Sequence, residues 1–371
     1  MRRRFGRALP RLRTPVPGPR SRALAERQAA VEVRSIAPGE ASPPVFWRAA
    51  RGANVRDVDG NTYIDLTGGF GVAAAGHSSP RVTRAVARQV GRLAHALGDV
   101  HPAAVKVELL ERLGQLAPGD LCVSLLASAG AEAVEVALKT AFLATGRPGV
   151  VAFQGSYHGL TYGALSVTGR TEFRAPFQPL LGGQVRFAPY PAEVGGAAVS
   201  ALDSVRAELA TGDVGAVIVE PVLGRGGMVV PPVDFLPGLR ALCDEHGAVL
   251  IFDEIYTGFG RTGRWFACEH AGVVPDIMTV GKSLTGMLPL SAAIGTAAVM
   301  DAWPPWSGEA PHTSTFLGNP VSCAAALAHL RAIGRGGLVE RADVLGRRVG
   351  MRLEAWARRL DGPGAGARGL G

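Results

Sequence analysis

The sequence predicts an α/β fold, with a mainly parallel sheet covered by helices on both faces. Two observations carry this. Short apolar runs recur from residue 121 onward, at Leu121–Leu126, Val150–Phe153, Ala216–Glu220, Val249–Asp253, Ile277–Val280 and Ala292–Gly295, and most are separated by helix-length segments. Of 371 residues, 47% are apolar and 19% charged, which suffices for one large buried core with a smaller unit beside it. No repeat of roughly 20–50 residues is evident.

The elements follow in chain order. Residues 1–22 hold eight arginines and no acid, and this block accounts for the net charge of +8. A like-charge run is expected to stay solvated, so residues 1–25 are read as a disordered basic arm. An organellar transit peptide or a nucleic-acid arm is the other reading of the block. It has no apolar stretch of the secretory kind. Residues 26–65 form the N-terminal segment of a small domain. Within it, Gly52–Leu66 alternates apolar and polar residues around Asp59-Gly60-Asn61, the pattern of a hairpin. Residues 80–97 and 102–117 read as helices. Residues 66–325 make the large domain that carries the chemistry. Residues 326–371 begin a second part of the small domain, with an Arg-rich helical stretch, a Gly/Pro-rich end and no further strand.

The four cysteines are widely spaced and form no CxxC pair, so they read as buried thiols in a reducing compartment, and the cytoplasm is the expected location. They suggest no metal site. No apolar run reaches the roughly 18 residues of a membrane helix. Neither a membrane nor a nucleic acid is expected as a partner.

Lysine is almost absent. Of 39 basic residues only Lys106, Lys139 and Lys282 are lysines. Lys282 follows an apolar run, shortly after Val249–Glu254. Arginine cannot condense with an aldehyde at ordinary pH, whereas a desolvated lysine can. Lys282 is therefore the candidate for covalent chemistry, with Asp253 as its electrostatic companion. At the first strand–helix turn, Ser128-Ala129-Gly130-Ala131-Glu132 leaves free N–H groups at a helix start that suit a phosphate. Tyr157, in Phe153-Gln154-Gly155-Ser156-Tyr157-His158-Gly159, follows a strand end and suits stacking on a planar ring. His158 taken alone reads as structural. Glu220, Asp253 and Glu254 end buried strands, and carboxylates there need partners. A protonated ring nitrogen is one such partner, and a lysine, a carboxylate, a phosphate seat and a stacking aromatic together suit pyridoxal phosphate.

On these residues the chain resembles the class III, or omega-amino-acid, branch of the pyridoxal-phosphate aminotransferases. The motifs are Gly130-Ala131-Glu132-Ala133, Tyr157-His158-Gly159, Glu220-Pro221-Val222, Asp253-Glu254-Ile255-Tyr256-Thr257-Gly258-Phe259-Gly260-Arg261-Thr262-Gly263, Pro275-Asp276-Ile277, Gly281-Lys282 and Ser314-Thr315-Phe316-Leu317-Gly318-Asn319-Pro320. The resemblance runs from about residue 50 to the last residue. It implies the type I fold of pyridoxal-phosphate-dependent transferases, with a seven-stranded sheet between helices, and pyridoxal 5'-phosphate as cofactor. Lys282 would hold the cofactor as an aldimine and then shuttle the substrate proton. Asp253 would pair with the ring nitrogen, Gly130 and Ala131 would bind the phosphate, and Tyr157 would stack on the ring with His158 beside it. Glu220 would border both cofactor and substrate. Thr315 would reach the phosphate from the neighbouring subunit of a homodimer. Phe70 and Ser314 would touch substrate.

The sequence departs from the family at two cofactor positions. Tyr256 stands where the family usually has Gln beside the cofactor's phenolic oxygen, and its hydroxyl can donate there. Ser128-Ala129 stands where Asn-Ser is common. The segment Ala367–Gly371 looks like the Arg-Gly-x-Gly opening of the family's small C-terminal domain, so a truncated domain is expected. The implied reaction moves an amino group from an amine or amino acid to a 2-oxo acid. The same fold also hosts aminomutases, racemases and decarboxylases, and a non-catalytic remnant that binds cofactor or dimerises is the third reading. Arg170, Arg174, Arg261 and Arg264 are the loop arginines that could hold a substrate carboxylate.

Overall fold

The computed structural model describes residues 5–36, 43–192, 197–359 and 366–371. Near the N-terminus, β1 (Trp47–Arg51), β2 (Asn54–Asp57) and β3 (Thr62–Ile64) form an antiparallel sheet in the order β1-β2-β3. The expected hairpin is β2 and β3, and β1 is an added strand outside it. Asp57 builds the turn. Its carboxylate accepts from the Asn61 N–H at 2.7 Å, the Asn61 side-chain amide at 2.8 Å and the Tyr63 hydroxyl at 2.7 Å.

Over its described residues, 5–25, the basic arm is not a free, solvated segment, which corrects the expectation there; residues 1–4 lie outside the described residues. A helix spans Pro19–Ala29, and Arg11 pairs with Thr62 through two backbone hydrogen bonds of 2.9 Å. Three polar side chains of the hairpin pin the arm's backbone. Asn54, buried, accepts from the N–H groups of Gly6 and Ala8 at 2.9 and 2.7 Å and donates to the Ala8 carbonyl at 2.9 Å. Asn61 accepts from the Arg13 N–H at 2.6 Å. Asp59 accepts from the N–H groups of Arg20 and Ser21 at 2.8 and 3.0 Å, an acid at a helix start, where the dipole favours it. The side chains of Arg7, Arg11, Arg13, Arg20 and Arg22 stay exposed. Charge repulsion is thus relieved by solvent while the backbone is held.

The main sheet contains β4 (Leu121–Ala127), β5 (Gly149–Phe153), β6 (Val185–Ala188), β7 (Val214–Val219), β8 (Val249–Asp253), β9 (Ile277–Val280) and β10 (Ser291–Thr296). Their order is β4-β10-β9-β8-β7-β5-β6. Only β10 runs against its neighbours; β9, β8, β7, β5 and β6 pair in parallel. Six of the seven strands match the apolar runs of the sequence. The seventh, β6, is a short, half-buried edge strand with Arg186 inside it, so it lacks the unbroken apolar run of a central strand.

Alternation explains the central runs. In β8, Leu250 and Phe252 enter one core cluster and Val249 and Ile251 enter the other, so both faces are apolar. Each such side chain contributes about 1.5–3 kcal/mol on burial. The expected helices over 80–97 and 102–117 occur as Pro80–Val90 and Ala104–Leu116, the first ending at Gly91. Helices Pro320–Arg335 and Leu338–Ala357 follow the sheet, joined by Gly336-Gly337, and among the described residues no strand comes after them. Among those residues, too, no helix is long and apolar enough to cross a membrane.

The docking of the arm rests on buried polar contacts, so Asn54→Ala should cost about 2–4 kcal/mol, several hydrogen bonds at once. Its melting temperature should fall, and trypsin should cut after Arg11 and Arg13 sooner than in the wild type. Unchanged cleavage would mean that the arm is held by something else.

Candidate active site

The strand directions put one set of loops on one edge of the sheet. The C-terminal ends of β4, β5, β7, β8 and β9 lead, respectively, to the helix at Gly130, the Tyr157 loop, Glu220, Asp253 and Lys282. In open α/β sheets this edge is where ligands bind. A cavity of about 560 Å³ lies there, within the usual range for small-molecule sites. Its lining includes Phe70, Gly130, Ala131, Tyr157, His158, Glu220, Asp253, Tyr256 and Lys282, nine residues that the sequence had singled out.

Asp253 is buried at the end of β8 and has three donors. His158 Nδ1 lies 2.7 Å from Oδ2, the Ile255 N–H donates to Oδ1 at 3.0 Å, and the Thr279 hydroxyl donates to Oδ1 at 3.2 Å. The three together offset the cost of burying the carboxylate. His158 is therefore the residue that orients Asp253, a role that its position beside Tyr157 does not disclose. Its other ring nitrogen, Nε2, is buried without a partner among the described residues. Glu254, next in sequence, points elsewhere. It accepts from the Thr257 hydroxyl and from the Cys268 N–H at 2.8 Å, and so fixes the loop after β8.

Lys282 opens a single 3₁₀ turn directly after β9 and Gly281. Its φ is 36°, in the left-handed region that a side chain seldom adopts, a strain typical of functional positions. Its Nζ lies 5.0 Å from the centre of the Tyr256 ring. Burial pushes the amine below the usual lysine range, Asp253 and Glu220 oppose that, and Arg225 adds to it. The next residue, Ser283, donates to the Gly71 carbonyl at 2.6 Å and ties Lys282 to the loop that carries Phe70. Phe70 also has a left-handed backbone, with φ of 59°, and its ring meets Tyr256 edge-on at 6.1 Å.

Glu220 ends β7 and is buried. It accepts from the Tyr157 N–H at 2.9 Å and the Gly224 N–H at 3.1 Å. Burial still raises its carboxyl to about 7; the charge of His158 lowers it, that of Asp253 raises it, and the two backbone donors lower it. Opposite, the helix Gly130–Thr145 begins at the cavity, and its first-turn N–H groups have no acceptor within the helix. Gly159 allows the Tyr157 loop to lie against this helix start. It has φ of 132°, and a Cβ there would stand 2.5 Å from that of Ala131.

The donor set fits pyridoxal phosphate. A helix start offers an anion seat, Tyr157 and Ile255 offer flat apolar wall, Asp253 offers a carboxylate, and Lys282 offers an amine. Two expected residues are not brought to the cavity. Ser314 and Thr315 are exposed on the loop before helix Pro320–Arg335 and do not line it. Arg170, Arg174, Arg261 and Arg264 do not line it either. Five residues given no role from the sequence do line it, Gly159, Leu160, Thr161, Ile255 and Arg225. The charge of Arg225 inside a Gly-rich strand-end loop was the available signal.

The sheet order and the lysine–carboxylate cavity define a pyridoxal-phosphate-dependent enzyme of the type I transferase fold. Comparison with known proteins makes this more specific. The family described as aminotransferase class-III matches residues 35–370. The 5-aminovalerate aminotransferase DavT of Pseudomonas aeruginosa is 41% identical over 334 residues, 88% of this chain and 76% of that protein. The 4-aminobutyrate aminotransferase GabT of Escherichia coli is 39% identical over 312 residues, 82% of this chain and 72% of that protein. Among solved structures, an (S)-enantioselective omega-transaminase from Thermomicrobium roseum superimposes with a TM-score of 0.87 at 27% identity, covering 94% of this chain and 82% of that one. An amine transaminase from an uncultivated Pseudomonas species, solved with pyridoxal phosphate bound, gives 0.84 at 30% identity, covering 92% and 82%. The chain belongs to the class-III aminotransferase family. It is a pyridoxal-phosphate-dependent aminotransferase, acting on an amino donor and a 2-oxo acid.

The raised carboxyl of Glu220 has a definite sign. Its contribution to stability is complete below the ordinary carboxyl value near 4.5 and is lost as pH rises through about 7. Relative to Glu220→Gln, the cofactor-free wild type should lose up to about 3 kcal/mol between pH 5 and pH 8. Parallel melting curves of the two proteins across that range would contradict the assignment.

Proposed function

We propose that Lys282 and Asp253 carry the reaction and that the physiological donor is an amine or amino acid whose reacting nitrogen is remote from a carboxylate. The observation that supports this most is the placement of a desolvated lysine and a triply hydrogen-bonded carboxylate on neighbouring strand ends of one cavity. The 5-aminovalerate and 4-aminobutyrate activities in the names of the similar proteins favour an ω-amino acid donor and a 2-oxo acid acceptor.

When bound, the cofactor supplies an aldehyde that takes up the amino group and a ring that withdraws electrons. Lys282 is the amine that would hold it. With the cofactor bound, Lys282 Nζ would be the base placed to take a proton from the substrate carbon and to return it. Burial lowers its basicity, which favours both duties. Asp253, aligned by His158, would hold a proton on the ring nitrogen. The N–H groups of Gly130 and Ala131 bind the phosphate. Tyr157 would cover one face of the ring. Tyr256 packs under the Lys282 amine and can donate its hydroxyl to the phenolic oxygen. Phe70 narrows the entrance, and Glu220 ties the Tyr157 loop to the loop after β7 by accepting from the Tyr157 and Gly224 N–H groups.

A homodimer in the cytoplasm is part of the same proposal. Ser314 and Thr315 sit on an exposed loop whose neighbour Phe316 is 60% exposed and packs against His95 at 5.4 Å. Leu93, Leu97 and Val100 are exposed in the segment that this loop contacts, and exposed apolar groups of this kind suit a subunit interface. There Thr315 would reach the partner's phosphate and Ser314 the partner's substrate. The domain division at residues 25, 65 and 325 is likewise proposed, on the change from the small antiparallel sheet to the large one.

The reaction can be tested in half. With 5-aminovalerate and no acceptor, the loaded enzyme should pass from the aldehyde to the amine form of the cofactor and release one equivalent of oxo product. Lys282→Ala and Lys282→Arg should slow this at least about 10³-fold, as loss of a general base does. Donor recovered unchanged or isomerised, with no conversion of the cofactor and no oxo product, would contradict transfer. For the dimer, sedimentation should give twice the chain mass for the wild type, and Phe316→Glu should shift it toward the monomer. A wild type that sediments as a monomer would overturn that part.

A further inference from the structure

The cavity contains a second cation, Arg225, which is not needed to hold the cofactor. It stands on the loop Leu223–Val229, closed by two backbone hydrogen bonds between its end residues, of 2.9 and 3.1 Å. The loop is tethered at three more points. Glu220 takes the Gly224 N–H at 3.1 Å, Arg170 donates to the Arg225 carbonyl at 2.9 Å, and Arg368 donates to the Gly227 carbonyl at 2.7 and 3.1 Å. The backbone of Arg225 is thus well fixed, although its side chain is exposed at the cavity mouth.

Three aromatic rings hold the guanidinium. Its carbon lies 4.3 Å from the centre of Tyr157, 5.2 Å from Phe173 and 5.6 Å from Phe70. Ring faces set the place of a cation but use none of its N–H donors in hydrogen bonds. Among the described residues the Arg225 side chain makes no hydrogen bond and no ion pair, whereas Arg170, nearby, is paired with Glu172. Arg225 therefore offers an unused fork of donors inside a reaction cavity, close enough to Lys282 for the two charges to interact.

The ligand such a fork fits is a carboxylate, which it meets through two parallel N–H···O bonds. We propose that Arg225 binds the carboxylate of the acid substrates, the 2-oxo acid in one direction and the amino acid in the other, and so sets the preference of the site for acids over diamines. The inference rests on the cavity being the aminotransferase site. A diamine such as putrescine would bring its second ammonium toward the same guanidinium, and like charges at that distance reject the wrong partner. The rival explanation is that Arg225 only braces Tyr157 and Phe173.

Two measurements on the loaded enzyme separate these. Calorimetric titration with glutarate, an unreactive diacid, reads carboxylate binding without turnover. Arg225→Met, which keeps an apolar chain against the rings, should weaken glutarate about 10- to 100-fold, the usual worth of a charge-assisted pair. In single turnovers, the ratio of kcat/KM for 2-oxoglutarate to that for butanal should fall by a similar factor, and Arg225→Lys should restore part of it. For Arg225→Glu the preference for 5-aminovalerate over putrescine should reverse. Equal losses on 2-oxoglutarate and butanal, or unchanged glutarate binding in Arg225→Met, would overturn the proposal and leave Arg225 as a brace. A wild type that transfers no amino group at all would instead defeat the reading of the site, and the glutarate titration would still decide the role of Arg225.

Discussion

A carboxylate on the floor of an apolar cavity is costly unless several donors meet it, and Asp253 is where this chain meets that condition. His158, Thr279 and the Ile255 N–H converge on it from three different segments. β8 must lie beside β9 for Thr279 to reach it, and the Tyr157 loop must fold back over β8 for His158 to do so. The same fold-back places Tyr157 in the cavity. Much of the site's geometry is thus set by the satisfaction of a single acid. Without that acid, a desolvated Lys282 would face the cavity with only Glu220 to oppose the loss of its charge.

The second constraint is backbone strain gathered around the cavity. Phe70 and Lys282 adopt left-handed conformations that each cost on the order of 1–3 kcal/mol. They are bound to each other, since Ser283 donates to the Gly71 carbonyl. The Phe70 loop is held in turn by Asp65, which accepts from the Gly69 N–H at 2.6 Å and pairs with His77 at 2.7 Å. A few strong polar contacts keep the reacting amine and the substrate entrance in register, at the expense of local comfort.

The sequence made the strand ends legible because their chemistry is local. An apolar run of five residues followed by an acid, or by Gly-Lys, announces both the strand and what it delivers, and Asp253, Lys282, Glu220 and Gly130 all fall on the same cavity. The features it hid are those decided by distant partners. β6 is a short edge strand with a charge inside it. The arm looked solvated because its arginines are exposed, yet its backbone is claimed by Asn54, Asp59 and Asn61 some forty residues away. His158 looked structural because nothing in Tyr157-His158-Gly159 shows that Asp253, 95 positions on, is its partner. Arg225 is not among the loop arginines named from the sequence, and the three rings around it show its place.

The account stands on which residue carries the cofactor. The loaded protein can be treated with borohydride, digested, and mapped by mass spectrometry for the phosphopyridoxyl mass. A single labelled peptide is expected, with the added mass on Lys282 and none on Lys106 or Lys139. Label on either of those two lysines, or no label on a chain shown to bind the cofactor, would contradict it.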